Sequence, residues 1–413
     1  MVDHSWRQAP KLIALAAIIL TSLNLRTAIV ALSPLVPRIQ DDLGVGQSLI
    51  GVLGMIPTAM FAVSAFLLPT LMRRLTIAQL LFAAMILTAV GQVWRVLGPS
   101  AFNLVAGSVC ALFAIGVTNA AMPVAVRSYF PNRVPTVSTT FLVTSQVAMG
   151  LAPLLAEPFA LAAESVGLTG WRASLGSWAL LAVVAAVAWL PLLARSRRPE
   201  KTVRMPGDAD KPKGVAVWRT PAGVGLAFMF GCTSFVTYSI MAFLPQLFVE
   251  AGASTQFAGT MLAYWSLLGL PLNVLGPWLV GRFTEVYPMA AASCVIFIVG
   301  NIGLATAPMA APWLWVTLSG LGPLVFPMAL TLINIRSRSM AGAASLSSFA
   351  QGLGYTVACV GPLLTGVLRE ATGSWVAAVA VWIAGTAVVL AGSFFATRDV
   401  FVEDQIKSQG TAS

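Results

Sequence analysis

The chain has 413 residues, of which 58% are hydrophobic and only 9% are charged, and its formal net charge is +10. Soluble domains carry about 25% charged residues, so this composition excludes an ordinary soluble enzyme and indicates a polytopic membrane protein. The basic residues are spread over short segments between apolar runs, so they indicate membrane topology and not nucleic-acid binding. The four cysteines lie in different apolar runs and the single histidine is His4, so we expect no disulfide, no metal and no cofactor.

The first apolar segment, about residues 12–33, contains one charged residue, Arg26. A guanidinium at this depth costs about 2.5–3.5 kcal/mol on insertion scales, so we expect it to face a polar cavity or a partner. Arg7 and Lys11 precede the segment as in a signal peptide, but the apolar run continues past Arg26 without a small-residue cleavage site. We therefore interpret the segment as the first transmembrane helix and Arg26 as the anchor of a substrate site.

Eleven further segments are apolar and long enough to cross a bilayer as helices. They cover about 48–70, 77–97, 101–125, 136–162, 172–194, 222–247, 257–280, 288–307, 312–335, 341–367 and 375–396. The only long polar linker is 195–220, and a polar tail follows at 399–413. These segments predict an N-terminal six-helix bundle at 1–194 and a C-terminal six-helix bundle at 221–398.

The basic residues are distributed unequally between the two predicted sides of the membrane. Of the 24 lysine and arginine residues, 19 lie in the termini and on one side, 4 lie on the other side, and one is Arg26. The four are Arg38, Arg95, Arg172 and Arg369. This positive-inside bias predicts a multi-pass protein of the cytoplasmic membrane with both termini in the cytoplasm.

The two halves contain an internal repeat at an offset slightly above 200 residues. The matches are Pro69–Thr76 with Pro277–Thr284, Trp171 and Trp178 with Trp375 and Trp382, Thr21-Ser22 with Thr233-Ser234, Met122-Pro123 with Phe326-Pro327, and Pro153–Leu155 with Pro362–Leu364. Five matches in one order predict an all-α membrane protein of twelve transmembrane helices in two pseudo-symmetric six-helix bundles, the major facilitator fold. The register of the third match places Tyr238 at the position equivalent to Arg26.

Several short motifs along the chain resemble one family. They are Asn24-Leu25-Arg26, Asn119 with Pro123, Gly170-Trp171-Arg172, Ala242–Pro245, Gln351–Tyr355, Gly361-Pro362 and Thr372–Trp375. In these motifs the chain is similar to the cyanate and nitroimidazole permeases (the CynX/NimT group) of the major facilitator superfamily. The resemblance implies uptake or exchange of a small polar molecule that is often anionic or electron-rich. The general facilitator signature is degraded, since Arg73 stands where an aspartate is expected and Thr76 where a glycine is expected.

The candidate substrate contacts are polar and aromatic residues inside the predicted helices. Arg26 is the first of them, because a guanidinium is a bidentate hydrogen-bond donor for an anionic or nitro group. The others are Asn24, Asn119, Gln146, Tyr238, Gln351 and Tyr355. Side chains of these types also pack or hydrogen-bond between membrane helices, so helix packing is the alternative interpretation for each.

Charged residues suggest two further roles. Glu157 is the only carboxylate at membrane depth, and it is either a proton-coupling group or an ion-pair partner of Arg26. We favour the ion pair or a position in water at the outer mouth, because the histidine and second acid typical of a proton relay are missing. Arg74 and Arg282 lie at equivalent cytoplasmic loops and are candidate gating residues, with simple topology charge as the alternative.

These observations predict a secondary transporter that moves a small anionic or polar molecule, similar to cyanate or a nitroimidazole, by alternating access. The expected partners are the substrate, protons as a candidate coupling ion, and membrane lipids, and we expect a monomer that does not bind nucleic acid. The alternative is a multidrug or metabolite efflux transporter with a mainly apolar pocket. A membrane enzyme is not supported, since the chain has no metalloprotease, hydrolase or nucleotide-binding motif.

Overall fold

The computed structural model describes residues 5–193, 217–338 and 340–405. Within these ranges no strand occurs, and twelve helical spans are long and apolar enough to cross a membrane. The predicted all-α membrane fold is therefore confirmed. Most of the predicted linker, residues 195–216, lies outside the described ranges.

The first half contains seven helices that form six spans. They are α1 (Ser5–Val30), α2 (Val36–Leu43), α3 (Gln47–Met72), α4 (Ile77–Trp94), α5 (Ala101–Tyr129), α6 (Val134–Glu164) and α7 (Gly170–Leu193). A 3₁₀ turn at Ser33–Leu35 joins α1 to α2, and Pro34 and Pro37 lie in the first turns of the two pieces. Proline lacks the amide hydrogen that an uninterrupted helix needs, so the span continues as separate pieces.

The second half contains eight helices that also form six spans. They are α8 (Pro221–Glu250), α9 (Thr255–Leu267), α10 (Gly269–Arg282), α11 (Tyr287–Thr306), α12 (Pro312–Leu321), α13 (Val325–Ile335), α14 (Met340–Thr372) and α15 (Trp375–Ala396). One span combines α9 with α10, and another combines α12 with α13. Thr220 and Ser374 begin α8 and α15 by accepting hydrogen bonds from backbone N–H groups of the first turn.

The chain divides into two compact units whose limits differ from the two sequence halves. The first unit contains Met1–Gly46, Ala59–Val203 and Ser254–Ala263, and the second contains the remaining residues. The first half of α3 therefore belongs to the second unit, where Gly51 lies against α14. A Cβ atom at Gly51 would lie 2.7 Å from the carbonyl oxygen of Pro362, so only glycine permits this approach.

The start of the predicted C-terminal tail is folded onto the second unit. Val402 is 2% exposed and packs into the core that contains α8 and α13. Arg336, at the end of α13, pairs with Asp399 and donates to the carbonyl oxygen of Thr397 at 2.7 Å. Residues 399–405 are thus part of the second unit, and residues 406–413 lie outside the described ranges.

In the first unit, a carboxylate at the end of α2 is held by the first turn of α7. Asp42 accepts a hydrogen bond from the indole N–H of Trp171 at 3.0 Å and another from Arg172 at 2.8 Å. The Arg172 guanidinium carbon lies 4.4 Å from the centroid of the Trp171 ring. This arrangement fixes the start of α7 against the end of α2.

The second unit contains a similar arrangement, in which the tryptophan begins α15 and the arginine lies in the last turn of α14. Glu250, at the end of α8, accepts from the indole N–H of Trp375 at 2.6 Å and from Arg369 at 2.5 Å. The Arg369 guanidinium carbon lies 5.2 Å from the centroid of the Trp375 ring. Trp171 and Trp375 are one of the matched pairs in the sequence repeat, so each bundle uses its copy of this tryptophan in the same way.

Candidate functional site

Arg26 is the only guanidinium within α1 at membrane depth, and its side chain is partly exposed. Its guanidinium carbon lies 5.8 Å from the centroid of the Phe61 ring of α3. Such a cation–π contact is worth about 0.5–2 kcal/mol and uses none of the five N–H donors. Within the ranges 5–193, 217–338 and 340–405, no carboxylate pairs with Arg26. Its donors are therefore available to a ligand.

Glu157 pairs with Arg38 and not with Arg26, which corrects the expected ion pair. Arg38 Nη2 lies 2.5 Å from one carboxylate oxygen of Glu157, and Arg38 Nε donates to the other at 3.1 Å. Arg38 also contacts Glu164, which lies seven residues after Glu157 and hence on the same face of α6. Glu157 is 4% exposed, so Arg38 neutralises a carboxylate that is almost fully buried.

The correct pairing follows from depth along the helices. Arg38 lies twelve residues after Arg26, about 18 Å farther along the bundle at 1.5 Å per residue. Glu157 lies seven residues before the end of α6, and Arg38 lies five residues before the end of α2. The two ends coincide in the first unit, which places Glu157 beside Arg38 and not beside Arg26.

Replacing Arg38 with glutamine is expected to destabilise the protein, because Glu157 then remains buried without its cation. Removing one partner of a buried pair costs about 3–5 kcal/mol, and the partial exposure of Arg38 reduces this to about 1–3 kcal/mol. Thermal unfolding in detergent measures the effect. The double variant Arg38→Gln, Glu157→Gln should recover most of the loss, and an unchanged unfolding temperature for Arg38→Gln would contradict the pairing.

Asn24 has the packing role that was the alternative interpretation. It is fully buried, and its side-chain N–H₂ donates to the carbonyl oxygens of Leu20 at 3.0 Å and Leu181 of α7 at 3.3 Å. Residues two positions apart on a helix point about 200° apart, so Asn24 and Arg26 face different sides of α1. The motif Asn24-Leu25-Arg26 therefore combines a helix contact with a free cation.

Asn119 of α5 and Gln146 of α6 are both partly exposed. The Asn119 amide makes no hydrogen bond with the part of the chain that the structure describes, so both its donor and its acceptor are free. Gln146 Nε2 lies 3.6 Å from the sulfur of Met149, one turn later on the same helix. Of these two amides, Asn119 is therefore the better candidate for a ligand contact in the first unit.

The second unit contains its own cluster of aromatic side chains from three helices. Tyr355 of α14 is partly exposed and packs edge-on against Phe230 of α8, with 5.1 Å between ring centroids. Phe326 of α13 lies 5.0 Å from the same Phe230 ring. Tyr238 of α8 is 8% exposed. The side-chain N–H₂ of Gln351 donates to the hydroxyl oxygen of Ser347, one turn earlier on α14, at 2.6 Å. The sequence had indicated Tyr355 and Tyr238 but not the cluster that Tyr355 forms.

Arg95 is a buried structural cation, although the count of basic residues had placed it outside the membrane. It is 1% exposed, and its guanidinium donates to the carbonyl oxygens of Ala28 at 3.0 Å and Leu175 at 3.5 Å, and to the amide oxygen of Gln92 at 3.1 Å. One charge thus connects α1, α4 and α7, and the polar pair Gln92 and Arg95 on an apolar helix was its sequence signal.

Arg74 and Arg282 lie at the ends of α3 and α10, and both are exposed. Neither forms an ion pair with residues 5–193, 217–338 or 340–405. Their gating role therefore stays a prediction. Over the same ranges, no three His, Cys, Asp or Glu side chains are grouped so as to hold a metal ion.

The chain is similar to known membrane transporters along most of its length. A family model described as Major Facilitator Superfamily matches residues 14–359. The chain is 27% identical over 401 residues to the uncharacterized transporter YycB of Bacillus subtilis (strain 168), covering 96% of each protein. It is 29% identical over 364 residues to the cyanate transport protein CynX of Escherichia coli (strain K12), covering 88% of this chain and 91% of that protein.

A third relative is the 2-nitroimidazole transporter of Escherichia coli (strain K12), 27% identical over 366 residues, with 88% of this chain and 90% of that protein covered. These relatives confirm the resemblance to cyanate and nitroimidazole permeases that the motifs predicted. Among solved structures, a bacterial homolog of the human lysosomal transporter Spinster superposes with a TM-score of 0.71 at 15% identity, covering 100% of this chain and 98% of that one. The nucleoside transporter NupG superposes with a TM-score of 0.72 at 11% identity, covering 92% and 98%. These structures share the fold.

Proposed function

The chain belongs to the Major Facilitator Superfamily and is a secondary transporter of small molecules, and from this premise we propose that its substrate is a small anionic or polar molecule similar to cyanate or a nitroimidazole. The observation that carries the proposal is the unpaired guanidinium of Arg26 inside a transmembrane helix. Charged residues at this depth mark substrate or ion pathways. The named activities of two relatives support the same substrate class.

Arg26 binds the substrate through its planar set of donors. Two parallel N–H groups match the two oxygens of a nitro group or an anionic end of the substrate, which gives orientation as well as energy. Phe61 covers the guanidinium with an apolar ring, and the lower local dielectric strengthens hydrogen bonds to it. Asn119 supplies an amide for the remaining polar atoms of the substrate.

Within the second unit, Tyr355 is the candidate contact for a planar ring. Tyr355 is partly exposed, and Phe230 holds it edge-on, so its orientation is fixed before substrate arrives. A fixed aromatic surface with a few polar groups is typical of sites for flat heterocycles. Tyr238, which is largely buried, and Gln351 are secondary polar contacts in this proposal.

In this proposal, transport proceeds by alternating access in a monomer of the cytoplasmic membrane. The positive-inside bias supports the placement of both termini in the cytoplasm. Glu157 is bound by Arg38, so we assign it a structural role and no proton transfer. Arg74 and Arg282 remain candidate gating residues because both are exposed without carboxylate partners in the described ranges.

The second candidate function is efflux of apolar drugs or metabolites. The aromatic cluster Phe230, Phe326 and Tyr355 favours it, because clustered aromatic rings bind apolar compounds without any charge. The two functions differ in their dependence on Arg26, which an apolar substrate does not need.

A substrate panel in proteoliposomes tests the proposal. Purified protein is reconstituted into liposomes and assayed for uptake of labelled cyanate, 2-nitroimidazole, a neutral sugar and a lipophilic cationic dye. Protein-free liposomes serve as the blank. We expect saturable uptake of cyanate or 2-nitroimidazole and none of the sugar or dye. Saturable movement of the dye alone would replace the proposal with the efflux function.

A further inference from the structure

A cavity lies wholly within the first unit, at the end of the bundle where α1 begins. Its volume is about 920 Å³, and its walls come from the start of α1, the end of α5 and the turn before α6. The lining residues are Lys11, Leu12, Leu15, Ser128, Tyr129, Phe130, Pro131, Asn132 and Arg133. Lys11 and Arg26 are fifteen residues apart on α1, about 22 Å along its axis, so this cavity is separate from the substrate contacts.

The cavity has two cations and no acidic wall. Lys11 and Arg133 are both exposed, and neither pairs with a carboxylate in the part of the chain that the structure describes. Arg38 and Arg172, at the opposite end of the same unit, are both paired with carboxylates. The positive charge of the cavity is therefore uncompensated, and it attracts an anion.

The rest of the lining is apolar. Leu12 is 65% exposed, and Leu15, Phe130 and Pro131 continue the apolar surface beside the two cations. The Tyr129 ring is held by Trp189 of α7, with 6.0 Å between their centroids. The volume is far larger than a small inorganic ion requires and lies within the range of sites for organic ligands. Cations beside exposed apolar side chains fit an amphiphilic anion.

We propose that this cavity binds the headgroup of an anionic phospholipid. The phosphate lies between Lys11 and Arg133, and the glycerol and first acyl carbons lie against Leu12 and Tyr129. A transmembrane span begins at Lys11, so the cavity lies at the level where a bilayer presents its phosphate groups. Basic pockets between transmembrane helices bind anionic headgroups by this combination of charge and apolar contact.

Native mass spectrometry of the purified full chain tests the site. The protein is titrated with phosphatidylglycerol, with phosphatidylcholine and with free glycerol phosphate. Each cation near an anionic lipid contributes about a fivefold gain in binding, so Lys11→Gln, Arg133→Gln should weaken phosphatidylglycerol binding roughly 30-fold. The matched control Arg73→Gln, Arg127→Gln removes two exposed cations of the same unit that do not line the cavity, and it should bind as the parent does.

The charge-preserving variant Lys11→Arg, Arg133→Lys separates binding from folding, and it should keep the preference for phosphatidylglycerol. Equal binding of the two lipids by the parent, or an equal loss in the matched control, would overturn the proposal. If glycerol phosphate displaces phosphatidylglycerol when the two are present at the same concentration, the cavity is a site for soluble anions and not for a lipid headgroup. None of these outcomes depends on which substrate the protein transports.

Discussion

Replacing Arg26 with alanine is expected to reduce uptake of the anionic or nitro substrate about 100-fold. Two hydrogen bonds to a charged group are lost, each worth about 1.5–3 kcal/mol in a site shielded from water, and incomplete additivity leaves about 3 kcal/mol in total. Arg26→Lys keeps the charge but not the planar pair of donors, so we expect an intermediate loss of about 10-fold. Initial rates in proteoliposomes over a range of substrate concentrations measure both effects.

The control for this prediction is the residue that the sequence had offered as the partner of Arg26. If Arg26 only balanced the Glu157 charge, then Glu157→Gln would restore the Arg26→Ala variant. Because Glu157 is held by Arg38, we expect no restoration of uptake. If the Arg26→Ala variant, at matched protein content, has the same KM and the same maximal rate as the parent, then Arg26 does not bind the substrate.

Replacing Arg95 with alanine is expected to prevent accumulation of folded protein. The substitution removes one of the largest fully buried side chains and leaves the carbonyl oxygens of Ala28 and Leu175 without that donor. Each unsatisfied buried group costs about 1–3 kcal/mol and the cavity adds about 2–5 kcal/mol, a sum comparable to the stability of a typical domain. Fluorescence-detected size exclusion and thermal unfolding measure the loss.

Arg95→Lys and Arg73→Ala complete this experiment. Lysine keeps the charge, but a single ammonium group does not reach acceptors on three helices as the guanidinium does, so an intermediate stability is expected. Arg73 is exposed and forms no ion pair in the described ranges, so Arg73→Ala should unfold at the parental temperature. A stable, monodisperse Arg95→Ala variant would contradict the structural role of Arg95.

The helices and the repeat were predictable because they depend on local properties of the sequence. Twenty apolar residues in a row define a span whatever its neighbours are, and Trp171 and Trp375 hold equivalent carboxylates because the two bundles have similar sequences. Positions within these helices are harder to predict. Asn24 and Arg26 are two residues apart, yet one is buried against α7 and the other is free.

The sequence did not determine which side chains pair with each other across neighbouring helices. A count of loop charges treats Arg38 and Arg95 as surface residues, since both fall near predicted helix ends. The structure pairs Arg38 with a buried carboxylate and buries Arg95 among backbone carbonyl groups. These contacts depend on how far each helix extends and which face it turns inward, and neither quantity is fixed by composition.

Equilibrium binding is the most direct test of the claim that Arg26 holds the substrate. The transported compound is titrated into the purified parent and into Arg26→Gln by isothermal calorimetry, with thermal unfolding of both proteins measured in the same detergent. We predict a dissociation constant at least about tenfold higher for Arg26→Gln, with equal unfolding temperatures, because a charged bidentate donor is replaced by a neutral amide. Equal dissociation constants for the two proteins would contradict the claim.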